Sequence, residues 1–103
     1  MTILYVTEFA SQVRDVAGYL VQGTPVYPSL AEQVVAIGAG SLASNAFNAS
    51  TTTIVLCSDV TCSVAIGATP VATATNRRIP ANVPVQIGVP AGSNYKIAVI
   101  SNT

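Results

Sequence analysis

The run Val34-Val35-Ala36-Ile37-Gly38-Ala39-Gly40-Ser41-Leu42-Ala43 leads an apolar strand into a Gly-x-Gly-x-x-Ala turn, a pattern whose glycines let a backbone approach a pyrophosphate. Asp59 ends a second apolar run about 20 residues on, where a dinucleotide fold keeps its ribose-binding acid. The chemistry would be nucleotide binding, and it requires a helix after the turn. That segment instead carries Asn45, Asn48 and Ser50-Thr51-Thr52-Thr53, whose side chains compete for backbone hydrogen bonds and disfavour a helix. The remaining chain supplies no βα units, so the glycines are expected to serve a tight turn after a strand.

Catalytic readings find less. There is no histidine to act as a base, and the four acids Glu8, Asp15, Glu32 and Asp59 are spread along the chain without paired-carboxylate spacing. A Ser-Lys arrangement would rest on Lys96 alone, with no motif around it. The expectation is a protein that is not an enzyme and takes no cofactor. Cys57 and Cys62 enclose Ser58-Asp59-Val60-Thr61, which reads as a turn between two strands that would bring the sulfurs together across a hairpin. In a reducing compartment they are two small buried hydrophobes, and a disulfide formed after release from the cell is the sharper alternative. Two thiols without histidine make no zinc site. The sequon Asn48-Ala49-Ser50 matters only in a secreted protein.

The elements that would position these residues are strands. Period-two patterning, β-branched residues and turn signals roughly every ten residues predict an all-β sandwich, jelly-roll-like, of about seven or eight short strands in one domain. From Thr2 to Phe9, Ile3, Tyr5 and Phe9 fall on one side and Leu4 and Val6 on the other, so this strand is buried or covered by a partner. Gln12 to Leu20 is compatible with a short helical turn or a strand. Gly23, Pro25 and Pro28 forbid a helix and favour an extended arm over residues 21–32, flanked by Tyr19 and Tyr27. Tyrosines beside such an arm either pack on their own domain or dock on another surface, where an aromatic brings contact area with few rotors to freeze. Further strands are expected at Gln33–Ile37, Thr53–Ser58, Cys62–Ile66, Val71–Thr75 and Tyr95–Ser101, with a turn at Asn76-Arg77-Arg78. Val83, Val85, Ile87 and Val89 alternate with Pro84, Gln86, Gly88 and Pro90, which implies an edge strand because proline cannot donate to a ladder.

Surface chemistry bounds the role. Four basic and four acidic residues make up 8% of the 103 residues, while 50% are hydrophobic. A folded chain of this mass exposes roughly 5,400 Å², or about one charged side chain per 700 Å², far sparser than isolated soluble domains. Much of the exterior must then be small and apolar, suited to contact with other polypeptides, and the chain reads as a subunit of an assembly. Zero net charge removes the electrostatic footprint of direct nucleic-acid binding. No run of about 20 apolar residues spans a membrane, and no secretory leader is visible, so assembly in a cytoplasm is expected. Arg77-Arg78 reads as a solvated turn or as a salt-bridge donor to a neighbouring subunit.

Ile66-Gly67-Ala68-Thr69-Pro70, Arg78-Ile79-Pro80-Ala81-Asn82, Gly88-Val89-Pro90-Ala91-Gly92 and Lys96-Ile97-Ala98-Val99-Ile100 together resemble small all-β capsid decoration, or cement, proteins of tailed double-stranded DNA bacteriophages. The resemblance covers roughly Glu32 to Ile100. It implies a protein on the outside of an assembled head, acting as a homodimer or homotrimer and bracing joints between major capsid protein subunits. The contact residues expected for that role are Tyr19, Tyr27, Arg77 and Arg78. The competing reading is a glycan- or receptor-binding module of a virion fibre or tail, for which the absence of tryptophan is unfavourable.

Overall fold

Leu4 and Val6, Ile54 and Leu56, and Ile97 and Val99 fall at every second position of their segments, and all are at most 1% exposed. Such pairs bury one face of a strand. The computed structural model describes residues 2–10, 12–14, 17, 20–25 and 29–102. Its strands are β1 (Ile3–Phe9), β2 (Gln12–Arg14), β3 (Leu20–Pro25), β4 (Ala31–Ala36), β5 (Leu42–Ala43), β6 (Thr53–Ser58), β7 (Cys62–Gly67), β8 (Arg77–Ile79), β9 (Val85–Gly88) and β10 (Lys96–Ser101). Two antiparallel four-stranded sheets, β4-β1-β6-β9 and β5-β10-β7-β8, enclose the core, while β2 and β3 form a separate ladder that joins neither sheet. The accessible surface is 5654 Å², close to the scaling expectation.

The connectivity is that of a jelly roll with one strand moved. In a jelly roll a long hairpin of nested strand pairs rolls up, so first pairs with last, second with seventh, and so on inward. Here β5 pairs with β10, β6 with β9 and β7 with β8, and the outermost pair is β4 with β1. The strand that would come last in the chain comes first. Consequently β1 sits in the middle of its sheet, hydrogen-bonded on both sides to β4 and β6.

Several local expectations change. Cys57 and Cys62 do not face each other across a hairpin, because β6 and β7 belong to different sheets and residues 59–61 carry the chain from one to the other. A short polar link between two apolar strands is read equally well as a hairpin or as an arch, and only the sheet pairing separates them. Arg77 and Arg78 are not in a turn: they open β8, paired with Val64 and Ser63. The turn lies just before them, where the Thr73 N–H donates to Asn76 Oδ1 at 2.6 Å and the Asn76 N–H to the Thr73 carbonyl at 3.0 Å. Val71–Thr75 forms no strand. Residues 21–25 of the expected arm are extended but paired, as most of β3, and residues 31 and 32 already belong to β4. Of Gln12–Leu20, residues 12–14 are strand. β9 is an edge strand with Pro84 and Pro90 just beyond its ends, as the alternation requires.

Candidate interaction surface

One end of the sandwich is closed by residues 44–52, and the closure is pinned by an acid. The period-two phase that turns Leu4 and Val6 inwards also turns Glu8 inwards, leaving it 1% exposed. Its Oε1 accepts the Asn48 N–H at 2.7 Å and the Thr51 hydroxyl at 2.8 Å, and its Oε2 accepts the Gln33 amide at 3.2 Å. Gln33 in turn holds the Asn45 backbone, accepting its N–H at 3.1 Å and donating to its carbonyl at 3.4 Å. Phe47 plugs the apolar half of the same end, buried and tied to the residue before β10 through its N–H to the Tyr95 carbonyl. The signal for Glu8 was present in the sequence as an acid in phase with a buried apolar face. Its partners, from positions 33, 48 and 51, were not.

The two outer sheet faces differ in kind. On β5-β10-β7-β8, Ala98 points away from the core, between inward Ile97 and Val99, and pairs with Ala43 and Ala65, yet it is fully buried. A strap of the β7–β8 connection covers it. The Ala72 N–H donates to the Ser41 hydroxyl at 2.9 Å beside β5, and Asn102 ties the far side by donating to Ser63 at 2.7 Å and to the Ala74 carbonyl at 3.2 Å. The small side chains of Ala43, Ala65 and Ala98 permit that close approach. Val71 rides on it at 70% exposure.

Among the described residues, no strap covers the outer face of β4-β1-β6-β9 in this way. Val34, Tyr5 and Cys57 lie in register across β4, β1 and β6, with Val34 59% and Tyr5 47% exposed. The next row is Glu32, Thr7, Val55 and Gln86, so Glu32 is the one charged side chain in either row. A shallow depression of about 340 Å³ runs between these rows, lined by Tyr5, Thr7, Glu32 and Val34.

Of the residues expected to make contact, Tyr19 and Tyr27 lie outside the described residues. The β2–β3 ribbon is an insertion at the β1–β4 hairpin: Glu8 and Ala31 are paired, and the Leu30 N–H donates to the Glu8 carbonyl at 2.7 Å. A seven-residue strand spans about 23 Å, whereas the molecule measures 47 × 26 × 22 Å. Arg77 and Arg78 are exposed on β8, the edge of the opposite sheet, where charges also guard against unwanted strand pairing.

The cysteines behave as unlike groups. Cys57 is outward and half-buried beside Tyr5, while Cys62 is buried in the core. Burial pushes the Cys62 thiol above its ordinary value of 9.0, against a smaller downward pull from the Ser58 hydrogen bond. With an aromatic disulfide reagent at pH 8, Cys57 is expected to react in the native protein and Cys62 only upon unfolding. The folded Cys62 thiol keeps its proton to higher pH than the unfolded one. The stability this contributes is full below pH 9.0 and is lost as the pH rises through the folded-state value. Urea titrations at rising pH should show that loss in the parent and a smaller one in Cys62→Val.

No nucleotide fingerprint forms: Gly38 and Gly40 lead from β4 into β5 in the opposite sheet, without a helix. Among the described residues no group of His, Cys, Asp and Glu is placed to hold a metal ion. In comparisons with protein-family models, with curated proteins and with solved structures, none matches this chain.

Proposed function

We propose that this protein is a non-enzymatic virion structural protein that binds the outside of a phage capsid and stabilises contacts between major capsid protein subunits. The observation that carries the reading is the β2–β3 ribbon. The ladder joins neither sheet, and two-stranded ribbons are at best marginal alone in water. A shell surface would complete it, and Tyr19 and Tyr27, in the same insertion, would supply the aromatic contact area. The sparsely charged exterior fits a lattice position, where many identical weak contacts add up to high avidity.

The test is retention on empty phage heads compared with retention on a glycan array. Co-sedimentation with heads, saturating at a fixed number of copies per shell, is the expected result. Retention on glycans without retention on heads would replace this reading with that of a fibre or tail module.

A further inference from the structure

The few charges of the sandwich are segregated by sheet. Among the described residues outside the ribbon, the exposed acids are Glu32 on β4 and Asp59 just past the end of β6, both on the β4-β1-β6-β9 side. The bases are Arg77 and Arg78 on β8 and Lys96 on β10, all on the β5-β10-β7-β8 side. Glu8, the remaining acid, is buried in the closed end. So few charges could have been scattered; sorted this way, they give the molecule an acidic face and a basic one.

The spacings also agree. Glu32 pairs with Thr7, and Asp59 donates its N–H to the Ile3 carbonyl, so the two acids flank β1 on opposite sides, four residues apart along it. Arg78 pairs with Ser63 and Lys96 with Gly67, so these two bases flank β7 on opposite sides, again four residues apart. Four residues along a strand is about 13 Å and two inter-strand steps about 9.6 Å, giving a diagonal of about 16 Å in both cases. Two point pairs of equal spacing superimpose by a rotation in the plane of the faces. Both pairs point away from the core: Thr7 alternates with buried Val6 and Glu8, and Lys96 precedes buried Ile97.

Between the charges both surfaces are uncharged and expose apolar side chains. Tyr5 and Val34 lie at the middle of the acidic face, and Val71 stands exposed on the strap of the basic one. The depression beside Tyr5 and Glu32 leaves room for a long cation, whose planar guanidinium can lie against the ring while its N–H groups reach the carboxylate.

We propose that the partner of the open β4-β1-β6-β9 face is a second copy of this chain, presenting its β5-β10-β7-β8 face, with Arg78 and Lys96 of one copy meeting Glu32 and Asp59 of the next. The contact is heterologous. Each copy offers both halves, so association continues beyond two and closes into a ring or extends as a filament according to the rotation per step. This deepens the structural-subunit reading and rests on it for its setting. Its test uses the isolated chain, so loss of self-association and loss of shell binding are read separately.

The experiment is sedimentation velocity of the full chain over a concentration series at low and high salt, with two charge-reversed variants. Arg78→Glu with Lys96→Glu makes both faces acidic, and Glu32→Lys with Asp59→Lys makes both basic. The parent is expected to form species larger than a dimer, weakened by salt. Each variant alone should lose association by about 100-fold or more, since like charges then face each other. An equimolar mixture of the two should regain it, which also shows that both fold. A parent that stays monomeric at low salt overturns the proposal. So does association unchanged in the Arg78→Glu, Lys96→Glu variant, which is the behaviour of a symmetric dimer through the Tyr5 face, and so does a mixture that fails to associate while both variants melt like the parent.

Discussion

Replacing Glu8 by alanine is expected to lower the stability of the fold by about 2–4 kcal/mol, because it strands three donors at once in a closed site. The Asn48 N–H and the Thr51 hydroxyl lose their acceptor and the Gln33 amide loses one of its two, and Thr51 is itself 1% exposed, so water cannot reach its hydroxyl without opening the end of the sandwich. For a chain of this size that loss corresponds to a fall in Tm of roughly 10–25 °C. Glu8→Gln separates shape from acceptor count. Its oxygen can still take the Asn48 and Thr51 donors, but its amide nitrogen then faces the Gln33 amide nitrogen. Turning Gln33 over would relieve that clash at the expense of its two bonds to the Asn45 backbone. A cost of about 1 kcal/mol follows, well below that of alanine. Thermal and urea denaturation give both numbers. Hydrogen exchange at Asn48 localises the effect, since only the pinned end should lose protection. Equal losses in the two variants would mean that Glu8 acts by filling space and not by accepting hydrogen bonds.

Glu8 also marks the boundary of what the residues reveal by themselves. Alternation is a local property, and it located β1, β6, β7 and β10 closely because each buries one side against the core. It identified β9 as an edge strand through its flanking prolines. What it could not supply is which strands pair. The link 59–61 reads as a hairpin because polar residues between two apolar strands give the same pattern whether the chain turns back within a sheet or crosses to the other one. The error over Cys57 and Cys62 followed from that alone.

Alternating small and β-branched residues gave Val71–Thr75 the look of a strand, yet the segment crosses the outer side of a sheet, held by Ser41 and Asn102. A strap and a strand share the same small residues when the surface beneath is a row of alanines. The interaction surface was legible only as a quantity, too few charges for the area to be covered. Where the charges sit relative to the sheets is a consequence of pairing: Arg78 and Lys96 are far apart in sequence and become one diagonal because β8 and β10 both flank β7.

Replacing residues 11–28 by a short Asn-Gly turn is expected to remove shell binding while leaving the sandwich folded. The insertion leaves β1 and returns to β4 at neighbouring points of one antiparallel ladder, with Glu8 opposite Ala31, so a tight hairpin can bridge the gap without moving either strand. Ala10 and Ser29 stay, which preserves the Thr52 hydroxyl bond to the Ala10 carbonyl and the Ser29 bond to Glu32. Shortening the loop by this much stabilises the fold by about 1 kcal/mol through loop-closure entropy, offsetting whatever the ribbon contributed, and Tm should move by no more than about 5 °C. Shell binding should respond far more strongly. If each copy loses its main contact, the gain from many copies on one lattice is lost as well, and retention should fall by 100-fold or more. The shortened protein keeps both outer sheet faces intact, so its concentration-dependent self-association should match that of the parent. Retained binding to heads would shift the shell contact to the sandwich body, with Arg77 and Arg78 on the β8 edge as the next residues to substitute.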